Sequence, residues 1–135
     1  MIAATGERPK RPDQVTIIAV LSAAAAVLFL VLLVQTLAII VNPHGRDSLN
    51  LILVQANVTA GQRPSVLVIY EITLILFSLV PAVLHGVAFY GLMGLRRAGW
   101  IIAFLLACAW SFLLIGVPFA VLLYRRDTRA AFGLT

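Results

Sequence analysis

The chain has 135 residues, 62% hydrophobic and 11% charged, with ten Lys and Arg against five Asp and Glu for a formal charge of +5. Soluble domains are about half apolar and about a quarter charged, so this composition points out of water and into lipid. The basic excess does not imply nucleic acid, because the bases stand at the ends of apolar runs, where they act as topology determinants and lipid-headgroup contacts.

Residues 1–14 form a basic start with Arg8, Lys10 and Arg11, the charge that marks a cytoplasmic N-terminus. The first apolar segment, Val15–Val41, is broken only by Thr16, Ser22, Gln35 and Thr36. At about 1.5 Å per residue it is long enough for a tilted helix across a ~30 Å hydrocarbon core. It is also longer than the ~7–15 residues of a signal h-region, so it reads as an uncleaved anchor. Asp13 can cap its first turn, and "NPHGRD", Asn42 to Asp47, ends it.

Residues 42–65 form a loop in which Ser48–Ala60 is apolar but short, and is interrupted by Asn50, Gln55 and Asn57. Asn50 and Asn57 are seven apart and would share one helix face, which predicts a helix lying in the interface rather than a span. The second long segment, Val66–Leu95, contains Glu71, Ser78, Pro81 and His85, and Pro81 predicts a kink near its middle. After a short basic loop at 96–100, with Arg96 and Arg97, the third segment runs from Ile101 to Tyr124, flanked by Trp100 and Tyr124. Gly116 and Pro118 would bend its last third. Residues 125–135 form a basic tail with Arg125, Arg126 and Arg129. The lone Cys108 excludes an intrachain disulfide and is expected to be a small buried hydrophobe at a helix contact. The sequence offers no zinc spacing and no haem-attachment motif, so no cofactor is expected.

The fold expected is an all-α membrane protein with three transmembrane helices plus a short interfacial helix. Small residues four apart (Ala19 and Ala23, Ala82 and Gly86, Ala103, Ala107 and Ser111) would let helix backbones approach closely, within the chain or against a partner. Charge and length then conflict. Three spans put five bases on each side, so positive charge favours neither orientation. If Ser48–Ala60 also crossed, the count would be seven against three, but that segment is only about 20 Å long as a helix. If the third segment entered and returned on one side, the count would be eight against two. Each leg would then be short, and backbone groups at the turn would be stranded in lipid unless protein covered them. Length is the harder constraint, which leaves three spans as the expectation.

Three stretches carry a resemblance. "RPDQVTIIAVL", Arg11 to Leu21, is similar to the RP-x-x-V-T-I-x-A opening of a group of small, uncharacterised bacterial multi-span proteins. "YGLMGLRRAGW", Tyr90 to Trp100, resembles the Y-G-L-x-x-x-R-x-W turn of that group, and "LLYRRDTRAAFG", Leu122 to Gly133, resembles its closing L-L-x-R-P-x-V-R-A-A-F-G. Arg126 stands where the proline is usual and Thr128 where the valine is. The resemblance implies a compact inner-membrane helical unit with both termini cytoplasmic and four spans, two of them between the tryptophan turn and the closing motif. Here that interval holds one apolar run. The resemblance carries no functional residue over.

Glu71, Ser78 and His85 are spaced seven apart and fall along one stripe of the second long helix. His85 lies about 15 Å from the helix end, close to the membrane midplane. Intramembrane ionisable groups raise a functional hypothesis, here a proton or cation path. The plainer reading pairs Glu71 with solvent or with Arg63, and hydrogen-bonds a neutral His85 to a neighbouring helix. His85 could instead be an axial haem ligand or touch a quinone; bis-histidine ligation would need a second chain, because His44 lies in a loop. No nucleophile with base and orienter, paired carboxylates or phosphate-cradling loop is present, so no enzyme is expected. Together these features predict a non-catalytic accessory or assembly subunit of a bacterial inner-membrane complex, bioenergetic complexes among them. Its partners would be other membrane subunits and phospholipids. The alternative is an oligomeric channel or proton-conducting unit lined by Glu71, Ser78 and His85.

Overall fold

The computed structural model describes residues 12–111 and 115–134, and every described element of secondary structure is helical. Arg8, Lys10 and Arg11 lie outside the described residues. In chain order the helices are α1 (Asp13–Val41), α2 (Pro43–Gln55), α3 (Arg63–Met93), α4 (Arg97–Trp110), α5 (Gly116–Tyr124) and α6 (Arg126–Ala131). Of these, α1 with 29 residues and α3 with 31 are long and apolar enough to cross a membrane. α3 continues through Pro81, although that residue has no N–H for the Phe77 carbonyl.

The third apolar run departs from the single helix expected over Ile101–Tyr124. It forms two helices, α4 of 14 residues and α5 of 9, which pack against each other. At about 1.5 Å per residue they measure roughly 21 and 14 Å, both short of a ~30 Å core. The pairing is antiparallel, with Gly116 against Ala107 near one end and Leu123 bonded to Trp100 at the other. A β-carbon at Gly116 would collide with the Ala107 carbonyl, so only glycine lets the returning helix start that close.

The helix ends follow a common chemistry. Leu95, Asn57 and Gly133 each have positive φ one residue beyond a helix cap. At each, the next residue's N–H reaches back to a carbonyl five residues earlier: Arg96 to Gly91, Val58 to Leu53, Leu134 to Arg129. These are Schellman ends, which satisfy carbonyls the helix leaves over. Asn57 therefore terminates α2 instead of sharing a helix face with Asn50. The helix itself starts five residues earlier than expected, because the Asn42 side chain accepts the His44 N–H and Pro43 occupies the first turn.

The contacts divide the chain into two units. One comprises the N-terminal residues through Ala24 together with Leu84 onward; the other is Ala25–Val83. The core of the first gathers Val15, Ile18 and Ala19 from α1, Ala88 and Leu92 from α3, Ala103 and Ala107 from α4, with Leu123 and Phe132. Gly91 and Gly99 meet backbone to backbone there, each occupying the place a β-carbon of the other would need. The core of the second is smaller. Leu49 and Leu53 of α2 pack on Leu67 of α3, flanked by Ile40, Val58, Val66, Tyr70 and Leu74.

The small residues singled out by spacing divide in the same way. Ala19, Ala82, Ala103 and Ala107 are buried. Ala23 and Ser111 are half-buried, and a β-carbon at Gly86 would meet nothing within 4 Å. Cys108, expected at a helix contact, is exposed on α4, because the contact face of that helix is the one carrying Gly99, Ala103 and Ala107.

Candidate functional site

Three polar side chains of α3 are buried: Glu71 at 8%, Ser78 at 5% and His85 at 7% relative exposure. Seven residues of helix rise about 10.5 Å, more than one hydrogen bond spans, so each of the three must be satisfied locally. Glu71 accepts from the Arg46 guanidinium of α2, at 2.9 Å from Nε and 3.4 Å from Nη2. The pairing partner is thus Arg46; Arg63 instead donates to the Val58 carbonyl over 3.1 Å. This near-bidentate fork holds α2 against α3, and half-exposure of Arg46 keeps one partner solvated. Ser78 donates to the Leu74 carbonyl one turn back, over 2.9 Å.

His85 meets α4. The Trp110 indole N–H donates to His85 Nε2 over 3.2 Å, with the ring centroids 6.3 Å apart. An indole nitrogen only donates, so Nε2 must present its lone pair and the imidazole is neutral with its proton on Nδ1. The Nε2 lone pair that axial haem ligation would use is engaged by the indole.

The second chemical concentration is at the open end of the α4–α5 hairpin. Trp100 of α4 donates to the Leu123 carbonyl of α5 over 2.9 Å. Buried Thr128 donates to the Leu122 carbonyl over 3.0 Å and lies 3.3 Å from the Gln14 side chain of α1. Arg97 donates to the carbonyls of Phe132 and Gly133, capping α6. The same end therefore holds the start of α1, the start of α4, the end of α5 and all of α6. Arg96, Arg97, Arg125, Arg126 and Arg129 collect there. Arg96 lies over the Tyr90 ring at 4.9 Å and Arg129 over the Tyr124 ring at 5.2 Å. The one ion pair among the described residues is Arg46–Glu71, so Asp127 neutralises none of these five.

Between the hairpin legs runs a groove of about 460 Å³ lined by Phe104, Ala120, Val121, Tyr124 and Arg125. Trp100 stacks on Phe104 at 5.3 Å, and Phe104 meets Tyr124 at 6.3 Å. Among the described residues no three His, Cys, Asp or Glu side chains gather as a metal-binding set.

No protein-family model matches the chain, and neither curated proteins nor solved structures show a significant similarity to it. The fold defines an all-helical chain with two helices of membrane-crossing length.

Several residues that organise the site carried no local signal. Arg46 and Trp110 pair with residues 25 positions away, and Trp100 with one 23 away. The Gly91 and Gly99 pair had a faint one, two glycines flanking a basic turn in "YGLMGLRRAGW".

Proposed function

We propose that the chain is a non-catalytic accessory or assembly subunit of a larger bacterial inner-membrane complex, acting by helix packing and lipid contact. α1 and α3 cross the bilayer, the α4–α5 hairpin enters and leaves it on one side, and both termini are cytoplasmic. α2, with Arg46, lies on the opposite side. This arrangement places eight of the ten bases inside and two outside, which agrees with the positive-inside rule where three spans do not.

The observation that carries the subunit reading is how little of the two long helices the chain covers itself. Only 28% of the apolar window of α1 and 22% of that of α3 is buried. Both helices leave broad apolar faces for lipid or for the helices of another subunit, with small residues that permit close approach. The polar groups on α3 support the same reading, since Arg46, the Leu74 carbonyl and Trp110 each engage one of them.

Extraction in a mild detergent followed by identification of co-purifying chains tests the proposal. Recovery with unlike membrane subunits in fixed stoichiometry is expected. Recovery solely as a homo-oligomer would overturn it and favour conduction, which loss of ion or proton flux in Glu71→Gln and His85→Ala vesicles would then establish.

A further inference from the structure

We propose that the groove between α4 and α5 binds one anionic phospholipid, with an acyl chain laid along Phe104, Ala120 and Val121 and the phosphate held by Arg125 and Arg129. This deepens the function proposed above and rests on the membrane placement given there.

The groove orders its chemistry along its length. Its lining runs from purely apolar side chains to a phenol and a guanidinium at one end. Ala120, Val121 and Tyr124 fall on one face of α5, and Phe104 closes the opposite wall from α4. The small side chain of Ala120 leaves the width. A lipid has the same sequence of chemistries, hydrocarbon, then ester, then phosphate, and the Trp100, Phe104 and Tyr124 rings sit where aromatic side chains favour the boundary between the first and the last.

Charge decides the class of headgroup. Among the described residues the Arg125 side chain has no hydrogen-bond or ion-pair partner, while Arg97 at the same end is occupied by the carbonyls of α6. Arg129 lies over the ring of Tyr124, the residue that also lines the groove, so a second guanidinium stands beside the mouth. Two uncompensated cations suit a phosphate with no cation of its own. A zwitterionic headgroup would bring a competing ammonium next to them. Arginine is also the side chain that binds phosphate in a planar, two-pronged manner. The apolar length of the groove distinguishes a lipid from free phosphate, which would use the arginines and leave the rest unfilled.

The test uses the full chain in nanodiscs of phosphatidylcholine containing phosphatidylglycerol, with retained lipid read by native mass spectrometry on release. The wild-type chain is expected to keep one phosphatidylglycerol in preference to phosphatidylcholine. Arg125→Gln should lower that preference about fivefold, the effect of the ~1 kcal/mol that one basic side chain near an anionic surface contributes. Val121→Trp, at an exposed position where the fold is not at stake, should fill the groove and abolish retention of either lipid. An unchanged preference in Arg125→Gln combined with Arg129→Gln overturns the site. Displacement of the lipid by inorganic phosphate, with no loss in Val121→Trp, also overturns it. Carbonate washing of membranes carrying the same chain separates the lipid site from the membrane placement. A chain that stays with the membrane yet shows no lipid preference overturns the site alone, and a chain released by carbonate overturns the membrane placement as well.

Discussion

The indole of Trp100 donates to the carbonyl of Leu123 over 2.9 Å, joining two residues that stand 23 positions apart at opposite ends of one apolar run. A straight helix of that length would hold them about 35 Å apart. One hydrogen bond thus brings the two basic ends of the run together at the same end of a hairpin.

The first prediction concerns sidedness. In a Cys108→Ala background, Asp127→Cys should react with a membrane-impermeant maleimide only from the cytoplasmic face. Gly61→Cys, where a side chain meets open space, should react only from the other face. Labelling of both positions from one face, or of Asp127→Cys from outside, rejects the proposed topology.

Loss of the Arg46–Glu71 fork should loosen α2. Arg46→Ala leaves the buried Glu71 carboxylate without its counter-charge, and a cost of ~1–2 kcal/mol is expected, reduced from the value for a fully buried pair because Arg46 is half-exposed. The readout is detergent-denaturant unfolding together with amide exchange across α2. Unaltered exchange at Leu49 and Leu53 would show that the fork does not hold the helix.

His85 and Trp110 should be energetically coupled. A double-mutant cycle with His85→Ala and Trp110→Phe is expected to return a coupling of ~1 kcal/mol, within the range for residues in direct contact. A cycle summing to zero would mean that the bond contributes nothing to seating α4 on α3.

Two glycines of α3 should respond oppositely to the same change. Gly91→Ala forces a β-carbon into the backbone of Gly99 and should destabilise the chain by ~1–3 kcal/mol. Gly86→Ala meets nothing within 4 Å and should be neutral or stabilising by up to ~1 kcal/mol through helix propensity. Thermal unfolding in detergent compares them, and equal effects would contradict the α3–α4 crossing.

The parts of the fold legible in the sequence were those written locally. α1 and α3 declare themselves as long apolar runs, and Asn42 with Pro43 marks the boundary between α1 and α2. That Glu71, Ser78 and His85 share one stripe of a helix was legible from their spacing of seven, but their burial and their partners were not. Arg46 and Trp110 reach them across the fold, and nothing in a linear pattern names a contact 25 positions away. The return of the third apolar run was hidden for a different reason. Hydropathy reports that a segment avoids water, but it has no sign that distinguishes passing through from turning back. The sequence does carry a turn signal at Gly116 to Pro118, but it lies off the centre of the run, and the close approach of Gly116 to Ala107 is not written in the linear pattern.

Gly91 and Gly99 give the first unit a fulcrum. They sit near the start of α4, whereas Trp110, the residue that meets His85, ends that helix eleven positions beyond Gly99, about 16 Å away along its axis. α4 is therefore a lever arm: a small rotation at the glycine crossing becomes a displacement several times larger at the indole.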